Sequence, residues 1–416
     1  MSGKEFYQND RADNFKQMSE SADTSKILRG RDIICFAQDW TGDPLSKTHI
    51  MRILARENRV LWVNSIGLRA PSVSKADFSR SIKKIAAVVE PIREVEPNLF
   101  VMSPLSIPAY GVKSVQTFNS RSLRWQIKRA LKKLGFKNLI NYVFLPSAAK
   151  LAGNLDEDYI IYHCVDEYSA FSDIPTEPIA RLERELLKKA DLVAVSAEIL
   201  YQTKIEHNPN TFLIRHGVDF DHFKTALDKT TEIPEEIKNL PHPVIGLYGL
   251  IEDWIDIELL EKTAKHFPEG SLVIIGKIKT DISRIENLPN VHILGRKPYQ
   301  TLPAYCKGFD VALNPFVINE LTLAANPLKV REYLAAGLPV ISTDIPEVAI
   351  LENCRIGQNH EDFIRQIEEA LKNPGPQKTI SDSVKNESWE ARVDELREIM
   401  KVQICASQIF EDILIL

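Results

Sequence analysis

The stretch Asn326-Pro-Leu-Lys-Val-Arg-Glu-Tyr-Leu-Ala-Ala-Gly337-Leu-Pro-Val340 decides how this chain of 416 residues folds. Asn326 reads as the N-cap of a helix and Pro327 as its first residue, because a ring that fixes φ and lacks an N–H suits the open end of a helix. Gly337 closes that helix in the left-handed conformation, and Pro339 prevents its continuation. A helix is therefore expected over 327–336 and a strand over 339–342. An apolar run at 311–314 and a loop at 315–325 precede it, giving the strand–loop–helix–strand pattern of a parallel sheet.

Outward from this unit the pattern repeats. Strands are expected at 244–248, 272–275, 291–294 and 311–314, and helices at 257–266 and 361–371. In the first half, strands are expected at 32–37, 59–64, 99–103, 141–145, 159–163, 192–195 and 212–215, with helices at 46–56, 112–134 and 177–189. Strands that are apolar along their length and separated by helices belong to sheets covered on both faces. A chain this long divides into two domains of roughly 150–200 residues. The expectation is α/β: two Rossmann-like, doubly wound parallel-sheet domains facing each other across a cleft. Residues 1–28 read as a disordered polar leader, 29–223 as the first domain, 224–243 as a linker rich in Lys, Thr, Glu and Pro, and 244–382 as the second domain.

Composition narrows the function. Apolar residues make up 44% and charged residues 26%, as in a soluble globular protein, and a net charge of −5 gives no field that would draw nucleic acid. Five scattered cysteines without a CxxC pair suggest neither zinc nor disulfides and fit a cytoplasmic location. No run approaches the ~20 apolar residues of a membrane span. No GxGxxG follows the first strand of either half, and no P-loop pattern occurs, so dehydrogenase and P-loop chemistry lose support.

In doubly wound sheets, ligands bind outside the carboxyl ends of the strands. The helix opening at Asn326 belongs there. Its amino end, with Leu328 and Lys329 in the first turn, offers backbone N–H groups, a helix dipole and one cation to a diphosphate. Glu332, three residues on and on the same face, can accept two hydroxyl hydrogen bonds from a ribose diol. The alternative is an ordinary capped helix with a surface Lys–Glu pair. Arg331 points elsewhere and is expected to be solvated. Gly249, after the strand at 244–248, lets backbone approach a phosphate or simply makes a tight turn. Arg296 directly follows the strand at 291–294 and could pair with phosphate oxygens.

The segment from Glu332 to Val340 resembles the nucleotide-binding element of GT-B glycosyltransferases related to family 4. The fuller Asn326-Pro-Leu-Lys329 form is similar to the teichuronic acid biosynthesis type of bacterial polysaccharide glycosyltransferase. Gln38-Asp-Trp40, Tyr162-His-Cys-Val-Asp-Glu167, His216-Gly-Val-Asp219 and Phe309-Asp-Val-Ala-Leu-Asn-Pro315 agree in order. The resemblance implies a GT-B fold and transfer of a sugar from a UDP- or GDP-sugar to a carbohydrate or lipid-linked acceptor in cell-surface polysaccharide synthesis. It implies donor contacts at Asn326, Pro327, Leu328, Lys329 and Glu332; because a helix dipole and cations can stabilise the leaving charge, no metal or other cofactor is expected. It further implies that residues 383–402 form a helix crossing back to the first domain, ahead of an apolar tail at 403–416. The family's sugar-contacting Glu, eight positions before Glu332, is replaced by Ala324, and Ile251-Glu-Asp253 stands where a basic pair is usual. A nucleotide-sugar 2-epimerase on the same fold, or a degenerate binding protein, are the competing readings.

If the transfer inverts the anomeric centre, the first domain must supply a group that accepts the acceptor's hydroxyl proton. Asp166, just past the strand at 159–163, is the first candidate, with His163 beside it; Asp166 could instead cap the following helix. Asp39 and Trp40 follow the first strand, where Asp39 could bind hydroxyls and Trp40 could stack on a sugar ring, or both could be packing residues. Gln38 and Glu167 are the further acceptor candidates. Asp219-Phe-Asp221 matches DxD but reads as a turn. Residues 121–137 carry seven basic side chains and no acid, interleaved with Trp125 and other apolar residues. Such a helix suits an anionic membrane surface, which would make the protein peripheral on the inner face of the plasma membrane, or is an outer helix with a solvated face.

Overall fold

The computed structural model describes residues 28–40, 44–65, 92–105 and 113–415, with backbone alone at 113–118 and 404–415. The leader expected over 1–28 lies outside the described residues apart from Leu28, which is buried. Two compact units result: Met1–Gly42, Lys47–Ile214 and Val393–Leu416 in the first, Asp43–Ser46 and Arg215–Arg392 in the second.

The first unit contains strands β1 (Asp32–Phe36), β2 (Arg59–Val63), β3 (Arg93–Glu96), β4 (Leu99–Met102), β5 (Leu139–Val143), β6 (Tyr159–Cys164), β7 (Leu192–Val195) and β8 (Thr211–Leu213). They form one sheet in the order β3-β4-β2-β1-β5-β6-β7-β8, parallel throughout except where β3 pairs with β4. β1, β5 and β6 are buried at every position, which is why their sequences show no alternation. Helices α1 (Ser46–Ala55), α2 (Lys113–Leu134), α3 (Thr176–Leu187) and α4 (Glu198–Ile205) connect the strands. The strand order reverses between β1 and β5. Such a switch point opens a crevice at the strands' carboxyl ends.

The second unit contains β9 (Val244–Tyr248), β10 (Ser271–Ile275), β11 (Val291–Gly295), β12 (Val311–Asn314), β13 (Val340–Thr343) and β14 (Cys354–Gly357). Their order is β11-β10-β9-β12-β13-β14, all parallel, with the switch between β9 and β12. Helices α5 (Ile257–His266), α6 (Leu328–Ala335) and α7 (His360–Ala370) are its longer helices, and α8 (Trp389–Ile415) begins here and from Val393 belongs to the first unit.

Two expectations need correction. The supposed linker 224–243 is folded into the second unit: Ala226 and Ile237 are buried in its core, on short helices Lys224–Leu227 and Glu235–Lys238. Its polar residues merely cover those two anchors. The first unit correspondingly ends its first crossing at Ile214 rather than at 223. Strands β3 and β14 were not expected, because Arg-Glu-Val-Glu and Cys-Arg-Ile-Gly lack the apolar run that marks the inner strands.

Candidate functional site

At the switch point of the second unit, β9 ends in Tyr248 and Gly249, and the loop after β12 leads to α6. The Tyr333 hydroxyl accepts from Tyr248 N at 2.7 Å, and the two rings meet edge to face at 4.6 Å. These contacts fix the first turns of α6 against the end of β9. The Tyr248 hydroxyl donates to Glu332 Oε2 at 2.8 Å and so helps to hold this half-buried carboxylate. Lys329 is part-buried, with Nζ 4.6 Å from the Phe316 ring centroid. Its dry surroundings lower its pKa to about 7 against the pull of Glu332. A proton here is easily lost, and an anion would hold it in place.

The helix opens without a side-chain cap. Pro327, not Asn326, occupies the cap position, and α6 begins at Leu328. Asn326 is buried in a polar network instead: its Oδ1 accepts from Arg331 Nη1 at 2.6 Å, its Nδ2 donates to Glu347 Oε2 at 3.3 Å, and its carbonyl meets His216 Nδ1 at 2.9 Å. Arg331, expected in solvent, is 1% exposed and donates to Glu387 Oε2 at 2.7 Å. Glu347 also takes Arg215 at 2.7 Å. The uncapped amino end of α6 is thus anchored from behind rather than closed from in front.

Gly249 stands in the left-handed region (φ +125°), where a Cβ would come 3.9 Å from Lys329 Cδ, so this turn and the lysine are neighbours. Gly249 N donates to the Ile275 carbonyl at 2.9 Å, and a Cβ on Gly276 would lie 1.7 Å from the Gly249 carbonyl oxygen. Gly276 is therefore part of this site although the sequence did not single it out. Gly337 ends α6 as expected, with φ +84°. Arg296 is exposed beyond edge strand β11, with β10 between it and β9. Ala324 is buried. Asp219 accepts from His222 N, and Asp221 pairs with Lys224, so the DxD segment is a capped turn.

In the first unit, Asp166 follows β6 in a clamped backbone. Ser196 Oγ donates to the Val165 carbonyl at 3.0 Å and Cys164 Sγ to the Asp166 carbonyl at 3.4 Å. The following turn, Tyr168–Ala170, has no side-chain cap, so capping does not explain Asp166. The residue is half-buried, and desolvation raises its pKa to about 6, opposed by Lys47 and reinforced by Glu167.

Glu167, expected to bind acceptor, has both oxygens engaged internally: Ser169 Oγ donates to Oε1 at 2.6 Å and Lys204 Nζ to Oε2 at 2.6 Å. Lys204 also reaches Glu183 Oε2 at 2.9 Å, and the Tyr162 hydroxyl donates to Glu183 Oε1 at 2.6 Å. Burial resists ionisation of Glu167, but Lys204 and Ser169 hold its pKa below the ordinary value. His163 is a core residue. Its Nδ1 meets the Tyr142 hydroxyl at 2.8 Å, its ring stacks on Phe144, and burial lowers its pKa to about 3, so it is neutral and poorly placed to take a substrate proton.

Asp39 is exposed and accepts from Ser65 N and Oγ at 3.0 and 2.7 Å. Trp40 packs edge to face on Trp62 at 4.9 Å, with Arg52 over its ring. The Gln38 carbonyl accepts from Trp62 Nε1 at 3.0 Å, and its side chain lies against the buried Tyr168 hydroxyl. Sequence reasoning also missed Lys47. It sits in the first turn of α1, is 5% exposed, and has its pKa lowered to about 8 by desolvation, with Asp166 and Cys35 opposing. Nothing in the local Ser-Lys-Thr-His pattern distinguishes it from a solvated lysine.

Residues 240–373 match the family described as Glycosyl transferases group 1. The chain is 25% identical over 254 residues to the putative teichuronic acid biosynthesis glycosyltransferase TuaH of Bacillus subtilis, an overlap of 55% of this chain and 62% of that protein. It thus spans less than two thirds of that relative. Among solved structures, sucrose-phosphate synthase from Thermosynechococcus elongatus superposes with a TM-score of 0.66 at 16% identity, over 90% of this chain and 100% of that one. Anabaena HepE, solved in complex with UDP and glucose, gives 0.56 at 14% identity, over 92% and 99%. With the two parallel sheets and their switch points, these matches give the chain the GT-B fold, and the family match places a group 1 glycosyl transferase-like sequence over residues 240–373.

Proposed function

We propose that the chain is a glycosyltransferase that moves a sugar from a nucleotide-sugar donor, with a uridine or guanosine diphosphate leaving group, to a carbohydrate or lipid-linked acceptor. The observation that carries this reading is the uncapped amino end of α6 at the β9/β12 switch point, with Lys329 beside Gly249 and Glu332 held by Tyr248. Backbone N–H groups and Lys329 receive the diphosphate and stabilise the charge that develops on it as the sugar leaves. Glu332 takes the ribose hydroxyls. Asp166 accepts the proton of the attacking hydroxyl, its pKa of about 6 leaving it mostly ionised at neutral pH. Calorimetry with UDP and GDP against the wild type and Glu332→Ala tests the donor half: a clear loss of affinity is expected in the variant. No heat with either nucleotide in the wild type would end the proposal.

The acceptor reading rests on α2. Leu123, Ile127, Ala130 and Leu131 are buried on one face. The other face carries exposed Arg121, Arg124, Arg129, Lys132 and Lys133 around Trp125, which is 62% exposed with the Arg129 guanidinium 5.5 Å from its ring. Cations flanking an exposed indole fit an anionic lipid surface, where a lipid-linked acceptor would be presented. No helix among the described residues is long and apolar enough to cross a membrane. Flotation with phosphatidylglycerol vesicles at low salt should carry the protein up and release it at high salt; a protein that stays down at low salt removes the membrane from this account.

A further inference from the structure

Arg331 occupies a place on α6 that an apolar side chain could fill. It is 1% exposed, and Val330, Tyr333 and Leu334 around it on the helix are all buried. A buried ion pair adds little stability over apolar residues of the same volume, so a pair kept in a core points to a directional task. Here the guanidinium serves two acceptors: Nε donates to Glu387 Oε2 at 2.7 Å and Nη1 to Asn326 Oδ1 at 2.6 Å. Its planar fork sets the angle between them, which a lysine ammonium cannot do.

Those contacts belong to a closed ring. Glu387 Oε2 also accepts from Arg392 Nη2 at 3.1 Å, Arg392 Nε donates to the His216 carbonyl at 3.4 Å, and His216 Nδ1 donates to the Asn326 carbonyl at 2.9 Å. The ring thus starts and ends on Asn326, two residues before α6 opens at Leu328. It also clamps two backbone segments together. Val218 N donates to the Glu387 carbonyl at 2.9 Å, and a Cβ on Gly217 would lie 2.8 Å from the Trp389 backbone. These segments are the two ends of the stretch Arg215–Arg392 that makes up most of the second unit. A spur runs from Asn326 Nδ2 through Glu347 to Arg215, at 3.3 and 2.7 Å.

We propose that Arg331 is a positioning residue for donor binding, and that the ring couples the amino end of α6 to the paired segments 215–218 and 387–392. The inference rests on the transferase reading above, in which a diphosphate sits at that helix end. Such a ligand needs the N–H groups of the first turn held in a fixed place and direction. Pro327 leaves the helix start without a side-chain cap, so its position is set by Asn326, one residue earlier, and by what grips Asn326. Coupling of this kind is reciprocal: a ring that favours the donor-binding position of α6 is itself favoured, by the same factor, when the donor is bound. Occupancy of the site therefore tightens backbone hydrogen bonds outside α6, the one from Val218 to Glu387 among them.

The test uses the full chain and two readouts, UDP calorimetry and hydrogen exchange at the Val218 amide. In the wild type, saturating UDP should slow that exchange about tenfold. Arg331→Met/Glu387→Leu replaces the pair by apolar side chains. It should melt near the wild-type temperature, bind UDP about tenfold more weakly and lose the UDP-dependent slowing. Arg331→Lys, which keeps the charge but not the fork, should fall between the two proteins. Glu387→Gln keeps the shape and drops the charge; it should weaken UDP binding about fivefold, and it carries the comparison if the double variant does not fold. A merely structural pair would change the melting temperature and leave both UDP affinity and the slowing at Val218 as in the wild type, which would overturn the proposal. A wild type that binds UDP with no change at Val218 overturns it too, and leaves the transferase reading standing. A wild type that binds neither UDP nor GDP ends that reading and this inference with it.

Discussion

Replacing Lys204 by Met should cost the first unit about 3–5 kcal/mol, the range for removing one partner of a buried ion pair. Lys204 bridges Glu167 and Glu183 at 2.6 and 2.9 Å, and all three side chains are buried or nearly so. Methionine keeps the length of the side chain but leaves two carboxylates without a cation in dry surroundings. They will take up protons, so the variant should regain stability as pH falls from 8 towards 5. The wild type moves the other way over the acid range: the depressed Glu167 pKa means its stabilisation is present above the ordinary carboxylate range and is lost as the pH falls through the folded value. The triple variant Lys204→Met/Glu167→Gln/Glu183→Gln should recover most of the loss by removing both charges. Hydrogen exchange at the β6 and β7 amides, with urea unfolding alongside, reads the effect in the affected unit. A change below about 1 kcal/mol, as for an exposed pair, would show that the triad is solvated and the reasoning wrong.

Tyr248→Phe removes the hydroxyl that holds Glu332 at 2.8 Å while keeping the ring packed on Tyr333. At about 1 kcal/mol for one hydrogen bond, UDP affinity should fall about fivefold by calorimetry; unchanged affinity would mean Glu332 needs no such support. Gly276→Ala places a Cβ 1.7 Å from the Gly249 carbonyl oxygen at φ +155°, so it should lower the melting temperature and weaken UDP binding together. A variant that melts like the wild type would show that this turn yields easily. Because Lys329 titrates at about 7 and only its protonated form attracts a diphosphate, wild-type UDP affinity should fall as pH rises from 7 to 9, and Lys329→Arg should flatten that slope. A slope identical in both proteins would assign the pH dependence elsewhere.

The inner strands of both sheets were legible because burial on both faces writes itself as an unbroken apolar run, as in Asp32–Phe36 and Val244–Tyr248. The helix at Asn326 was legible from its ends, Pro327 and Gly337, though one residue of capping was misplaced. Edge strands β3 and β14 were not, since a strand with an open side can keep charged residues. Within the candidate site, Lys329, Glu332 and Gly249 were singled out by local logic: a helix start, a face, a glycine after a strand. Lys47, Lys204 and Arg331 were not. Whether a charged side chain is buried depends on partners far along the chain, such as Glu167, 37 positions from Lys204, and Glu387, 56 from Arg331. No local pattern records such a meeting.

The first unit is not a continuous piece of chain. Arg397 pairs with Glu57 at 2.6 Å and the Tyr159 hydroxyl donates to Gln403 at 2.7 Å, so the strap formed by α8 belongs to a domain whose sheet was finished nearly two hundred residues earlier. On the ribosome, the domain that starts emerging first is therefore completed last, after the whole of Arg215–Arg392 has been synthesised. A fragment stopped at Ile214 would carry every strand of its sheet and still lack its final clasp, whereas the inserted domain could mature while that clasp is still awaited.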